Sequence, residues 1–343
     1  MFDNFFGNLS AQHALATMIA TERIPQTLLL SGVNGVGKAT LARRFAQRLL
    51  NHPERIEADD LSLESNRTII AEREKWPSDK RSNDPLLFSS HPDFITFCPE
   101  GPLRQISIQQ MRQLRERAQL LPLKGHWRVF LVDQFDRTSQ QAADSILKTL
   151  EEPPSHLILL LTAENAYDLP PTIRSRSIQV HLSPLSDAEM RAFAAARQLA
   201  DLDERLALAA GSPGLALTLD LAAEKKRRDT MLALLEAAAG ATKFAAWVKH
   251  SESFIASKSE KMDLSFRILY SLLEDILTLR YGAGEVRNRD VRPALEALAQ
   301  LVSFEWLRQA TQRIDEMAGL QRRNVQKGPT LDAFVVHQRA LMS

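Results

Sequence analysis

Apolar and polar positions along this chain change period once. Up to Pro184, short apolar runs at Thr27–Leu30, Phe94–Phe97, Val129–Val132, Leu157–Leu161 and Ile178–Leu182 alternate with stretches of helical spacing at Ala39–Leu50, Ile108–Leu121 and Gln140–Leu150. Runs of four or five apolar residues suit strands buried on both faces, and strand alternating with helix predicts a parallel sheet covered by helices. Beyond Pro184 the strand pattern stops. From Ser186 the chain is rich in Ala, Leu, Arg and Glu at helical spacing, broken at Gly211-Ser212-Pro213-Gly214 and again from Gly282 to Arg289. The division expected is an α/β domain over 1–182, a small helical unit over 183–220 and an all-helical domain over 221–343.

One stretch fits neither pattern. Residues 51–91 are polar and charged, with Pro53, Pro77 and Pro85 and little periodicity, and read as a mobile insertion. The run Glu224 to Asp229, E-K-K-R-R-D, reads as a solvated helix face or linker, with nucleic-acid contact the minor alternative.

Candidate chemistry begins where the first strand ends. Gly32 to Thr40 reads G-V-N-G-V-G-K-A-T, in which Gly32, Gly37 and Lys38 fit G-x-x-x-x-G-K-[ST], with Gly35 between them. In such a loop backbone N–H groups close around phosphates and the Lys reaches the terminal ones. The next position normally offers a hydroxyl to Mg²⁺. Here it is Ala39, and Thr40 stands one residue out of register. About a hundred residues on, Arg128 to Asp136 reads R-V-F-L-V-D-Q-F-D: Asp133 is kept where a metal-holding carboxylate ends an apolar strand, but Gln134 replaces the Glu that orients attacking water. A glycine turn alone can be only a tight turn, and an apolar run ending in Asp only a buried strand. Together, each in strand-then-helix context, they predict a phosphate-loop fold that has lost hydrolysis.

Composition narrows the setting. With 343 residues, two or three domains are expected. Charge is balanced, 43 basic against 42 acidic residues, so contact with nucleic acid or membrane requires a local patch. The single cysteine, Cys98, excludes an internal disulfide, and the longest apolar run, Leu157–Leu161, is too short to span a bilayer. A cytoplasmic protein is expected.

Ile146 to Pro154 reads I-L-K-T-L-E-E-P-P, by periodicity only an amphipathic helix stopped by two prolines. As a string, together with H-P-D-F from His91, I-S-I-Q-Q-M-R-Q-L from Ile106, L-P-P-T-I-R-S-R-S from Leu169 and A-G-S-P-G-L-A-L from Ala210, it resembles the bacterial clamp-loader AAA+ family. The resemblance covers the first two thirds of the chain; the last third matches only as a helical domain of suitable length. It implies a P-loop AAA+ domain, a helical lid and a helical collar, and a place in a ring with gamma/tau and delta subunits that loads a sliding clamp on primed DNA. The eroded phosphate loop, and Pro213 and Gly214 where ATPase members carry a sensing arginine, are similar to the non-hydrolysing, delta-prime-like kind of subunit. ATP and Mg²⁺ would then be bound by neighbouring subunits, with no cofactor required here. A gamma/tau-like ATPase and a pure scaffold subunit are the alternatives.

The family's Ser-Arg-Cys motif, set against a neighbour's ATP, is matched by Ser175-Arg176-Ser177. The resemblance makes Arg176 an arginine finger in trans, with Arg174 its rival, and assigns DNA-facing positions to Arg112 and Arg115. Two departures stand out. Relatives carry four cysteines in a zinc module after the first helix, whereas 51–90 holds none and only His52, with His91 distant in sequence; no zinc is expected. A polar sensor residue should also end the fourth strand, where Thr162, Ala163 and Glu164 stand unassigned.

Overall fold

The apolar runs pair into a single six-stranded sheet in a computed structural model that describes residues 2–256, 262–282, 284, 286–321 and 327–342. The chain forms two units, Met1–Leu202 with Ala209–Leu217, and Asp203–Leu208 with Thr218–Ser343. The segment 183–220 is thus shared between them.

The first unit runs α1 (Leu9–Ala20), β1 (Thr27–Ser31), α2 (Lys38–Leu50), α3 (Pro53–Glu57), α4 (Glu64–Glu74), α5 (Ser78–Asn83), β2 (Leu87–His91), β3 (Phe94–Phe97), α6 (Ile108–Ala118), β4 (Arg128–Val132), α7 (Gln140–Ser145), α8 (Leu147–Glu151), β5 (Leu157–Ala163), α9 (Pro171–Arg174), β6 (Ile178–His181) and α10 (Asp187–Arg197). Strand order is β2-β3-β4-β5-β1-β6, all neighbours parallel except β2 with β3. Every residue of β1, β3, β4 and β5 is buried, which explains the predominance of Leu, Ile, Val and Phe in those strands. β5 lies between β1 and β4, with Leu30 opposite Thr162 and Val132 opposite Leu161. Phe97, Met111, Leu114, Phe130 and Ile146 pack one face of this sheet.

Helix ends depart from the periodicity for visible reasons. The helix expected to Leu121 stops at Ala118 because Arg128 donates to the Leu120 and Leu121 carbonyls and the buried Asp93 carboxylate accepts the Leu123 and Lys124 N–H groups. The helix expected over Gln140–Leu150 is two, broken at Ile146.

Residues 51–91, expected as a mobile insertion with little periodicity, hold three helices and the edge strand β2. Ion pairs built on buried arginines, which sequence periodicity does not register, hold the segment together with a small apolar cluster. Arg43 of α2, 2% exposed, pairs with Glu57 at 3.4 Å and with Asp60. Arg73 of α4 donates to Glu100 at 3.0 Å and to Asp84 at 3.2 Å, and lies 4.4 Å from the Trp76 ring centre. Asp59 accepts from the Ser90 hydroxyl at 2.6 Å, tying α3 to β2. Ile70, Leu86, Phe88 and Cys98 supply a small apolar cluster beneath.

In the second unit, α13 (Leu221–Ala238), α14 (Phe244–Ala256), α15 (Met262–Tyr281), α16 (Arg292–Leu301), α17 (Phe304–Gln321) and α18 (Lys327–Ala340) bury Trp247, Leu269, Leu272, Trp306 and Phe334. α11 (Leu202–Ala209) and α12 (Pro213–Thr218) stand where the chain passes between units. The second expected break begins where α15 ends; its residues 283 and 285 lie outside the described ones. The charge run at 224–229 is a solvated face only at Lys225, Lys226 and Asp229. Glu224, Arg227 and Arg228 are buried, because Arg267 of α15 reaches Glu224 at 2.6 Å and Asp290 takes both ends of Arg228 at 2.7 and 2.6 Å.

Breaking a buried pair from one side strands a charge, at a cost of about 3–5 kcal/mol. Arg73→Leu is therefore expected to destabilise 51–100 by about that amount, because Glu100, 5% exposed, keeps only the Leu86 N–H at its other oxygen. Hydrogen exchange of the α4 and β2 amides should speed accordingly; unchanged protection would refute this account of what holds the segment.

Candidate functional site: an eroded phosphate loop and an arginine turn

The rim where β1, β4 and β5 end collects most of the singled-out residues. Gly32 leaves β1 with φ 148° against the Leu182 carbonyl, which a Cβ would strike, so only glycine fits. Gly35 has φ 76°, and a Cβ there would meet Ser212 Oγ. That contact belongs to a clasp: Ser212 Oγ donates to Asn34 O at 2.9 Å and Gly214 N to Gly35 O at 2.8 Å. On the other side the Phe5 ring lies against Gly37. The G-S-P-G segment and the N-terminal Phe5 thus grip the loop from two directions.

Lys38 opens α2, 8% exposed. Its ammonium donates to the loop's own carbonyls, Gly32 O at 2.6 Å and Val33 O at 3.0 Å. Burial pushes its pKa down; the Glu164, Asp133 and Asp136 carboxylates act the other way. Thr40 lies in the first turn of α2, half-buried. Asp133, at the end of β4, accepts a hydrogen bond from Thr162 Oγ1 at 2.6 Å, and the same hydroxyl accepts from Gln134 N at 2.8 Å. Thr162 is therefore the polar residue that ends β5 beside the carboxylate. The apolar run L-I-L-L-L-T ending in one hydroxyl carried that signal, but only the β5–β4 pairing puts it next to Asp133.

Arg176 lies in the exposed turn between α9 and β6, away from any hydrophobic packing of its own. Its Nη2 donates to Glu151 Oε1 at 2.8 Å and its Nη1 to Thr172 O at 2.9 Å. Arg174 instead stacks on Tyr167, 5.0 Å from the ring centre. Arg112 and Arg115 share the exposed face of α6 opposite buried Met111, Leu114 and Ala118, and a Ser107–Gln110 capping box fixes that helix start.

His52 and His91, distant in sequence, lie ring to ring at 4.9 Å, and burial holds His91 below the usual imidazole range. Among the described residues no group of three or more His, Cys, Asp or Glu is placed to hold a metal ion, and no helix is long and apolar enough to cross a membrane.

A glycine turn between parallel β1 and α2, with a buried Asp one strand removed and a third strand inserted between, defines a P-loop AAA+ fold, with an all-helical unit after it. The chain belongs to the clamp-loader family of DNA polymerase III: residues 7–186 match the family described as "DNA polymerase III, delta subunit", and residues 223–325 its C-terminal counterpart. Over 217 residues it is 29% identical to DNA polymerase III subunit delta' of Escherichia coli, covering 62% of this chain and 63% of that one. Over 190 residues it is 32% identical to subunit delta' of Pseudomonas aeruginosa, covering 54% and 52%. Over 177 residues it is 30% identical to subunit tau/gamma of Haemophilus influenzae, covering 52% and 23%. The match thus spans less than two thirds of each relative's length, and both kinds of subunit are among the relatives.

Burial also pushes the Asp133 carboxyl up from its ordinary 3.8, against the Thr162 hydroxyl and the positive Arg43 and Lys38. The folded chain then binds this proton more tightly than the unfolded one, so the residue's contribution to stability is full below about pH 4 and lost as pH rises through the folded value. Asp133→Asn, which keeps an acceptor for Thr162, is expected to gain on the wild type with rising pH. Its melting temperature relative to wild type should be higher at about pH 7 than at about pH 4; an equal difference at both would refute the burial account.

Proposed function

We propose that this chain is a delta-prime-like clamp-loader subunit: a partner in the ring that does not hydrolyse ATP itself and lends Arg176 to a neighbouring ATPase site. The observation that carries the reading is the state of the phosphate loop. Lys38 is bound to the loop's own carbonyls, while Ala39 lacks a hydroxyl for Mg²⁺ and Gln134 lacks a carboxylate to orient water. What remains is structural: Gly32, Gly35, Lys38 and Asp133 serve a rim held shut by Ser212, Gly214 and Thr162. Nucleotide and Mg²⁺ would be bound by neighbours, and this chain would need neither these nor zinc.

A guanidinium at an exposed turn is what a trans-acting finger requires, since it must reach charge developing on a phosphoryl group held by another chain. Arg176 fits that better than Arg174, whose charge is spread over the Tyr167 face. In this reading the chain assembles with gamma/tau and delta subunits, and Arg112 and Arg115 contact phosphates of primed DNA without reading sequence as the sliding clamp is loaded. The gamma/tau-like ATPase reading retains some support from Lys38, Asp133 and the tau/gamma relative.

The purified chain is expected to show no Mg²⁺-dependent ATPase above background; turnover abolished by Lys38→Ala would favour the gamma/tau-like reading instead. In the reconstituted assembly, Arg176→Ala should leave folding and ring formation intact and lower the DNA- and clamp-stimulated ATPase only in part. A finger is worth roughly 10³ to 10⁵ in rate at one site, but only the site this subunit completes would lose it. Unchanged ATPase and unchanged clamp loading would leave a pure scaffold.

A further inference from the structure

The arginine turn and the end of the E-E-P-P helix meet through one ion pair, and both sides of it are anchored. Glu151 closes α8, which cannot continue through Pro153 and Pro154. The carbonyls of those prolines accept from Gln26 Nε2 at 3.2 and 2.9 Å, tying the helix end to the residue before β1. On the other side, Ile173 of α9 is fully buried and Ser177 Oγ donates to its carbonyl at 2.8 Å, so the turn holding Arg176 is pinned at its base.

Between these anchors the guanidinium is gripped twice. Glu151 takes Nη2, and Thr172 O and Ser175 Oγ take Nη1, the last at 3.4 Å. A guanidinium has five N–H donors. These contacts use three and leave Nε–H and the second Nη2–H for an acceptor beyond the turn. The side chains are 33% and 46% exposed. A pair so placed contributes little to stability. Its consequence is orientation, since an unheld arginine retains most of its rotamer freedom and would have to lose it at the moment a phosphate is met.

We propose that Glu151 is the positioning residue of Arg176: it holds the guanidinium in the conformation presented to a neighbouring subunit's polyphosphate. The inference rests on the finger reading above and deepens it. Glu151 itself touches no nucleotide and acts only through the arginine. Because the finger works on the transition state, losing its pre-organisation lowers kcat and leaves the KM for ATP alone.

The test uses the assembly reconstituted from the full chain and its ATPase partner subunits. Glu151→Ala is expected to lower the stimulated kcat with KM unchanged, by up to about 30-fold at the one site, the scale set by arginine rotamer freedom. In a ring with several ATPase sites the drop seen would be smaller. Thermal unfolding of the chain should stay at the wild-type value. Glu151→Gln keeps an acceptor oxygen and should fall between wild type and Ala. Glu151→Ala/Arg176→Ala should be no slower than Arg176→Ala alone. If Arg176→Ala slows the assembly but Glu151→Ala does not, or if the two effects multiply in the double variant, the positioning role is overturned and the finger stands. If neither substitution matters, the finger reading itself has failed.

Discussion

A parallel sheet buried on both faces places its charged groups where its strands begin or stop, and that constraint shapes the whole first unit. Along β1, β3, β4 and β5 every residue is buried and most are apolar, so an unpaired charge in mid-strand would be stranded. Gly32, Asp133 and Thr162 therefore collect along one rim, the place where open α/β sheets carry their ligands. Insertion of β5 between β1 and β4 brings the Thr162 hydroxyl to the Asp133 carboxylate. At that rim the polar groups satisfy one another: Thr162 donates to Asp133, and Lys38 to the carbonyls of Gly32 and Val33.

The surrounding polar structure follows one rule: a buried charge is matched within its own unit. The buried guanidiniums of Arg43, Arg73 and Arg228 are each paired, with Glu57 and Asp60, with Glu100 and Asp84, and with Asp290. Asp93 does the same with two backbone N–H groups, and Arg128 with three backbone carbonyls, two of them in the loop between α6 and β4, which is how that loop acquires a fixed shape. Arg176 is the contrast. Its partner Glu151 shares its exposure, so the pair adds little to folding and leaves the guanidinium accessible at an edge. Burial of the guanidinium thus separates the arginines that hold the fold from Arg176.

Much of this was legible in the chain. The five apolar runs, the glycine turn with Lys38, the lost hydroxyl at Ala39, the lost carboxylate at Gln134 and the helical final third are local patterns, each written in consecutive residues or a fixed spacing. Sequence alone determined the fold class, the presence of Ala39 and Gln134 at the phosphate-loop and strand-end positions, and the placement of Arg176 in an R-S-R-S turn. What it left open was decided by contacts between residues far apart in the chain: Thr162 beside Asp133, Ser212 and Gly214 over Gly35, His52 against His91, and Glu151 holding Arg176. The same cause accounts for what local pattern missed in 51–91 and 224–229: charged side chains carry no hydrophobic period, and only the tertiary fold supplies the opposite charges that let Arg73, Glu100, Glu224 and Arg228 be buried. Periodicity reports burial of apolar surface; burial of charge depends on a partner whose position no local pattern specifies.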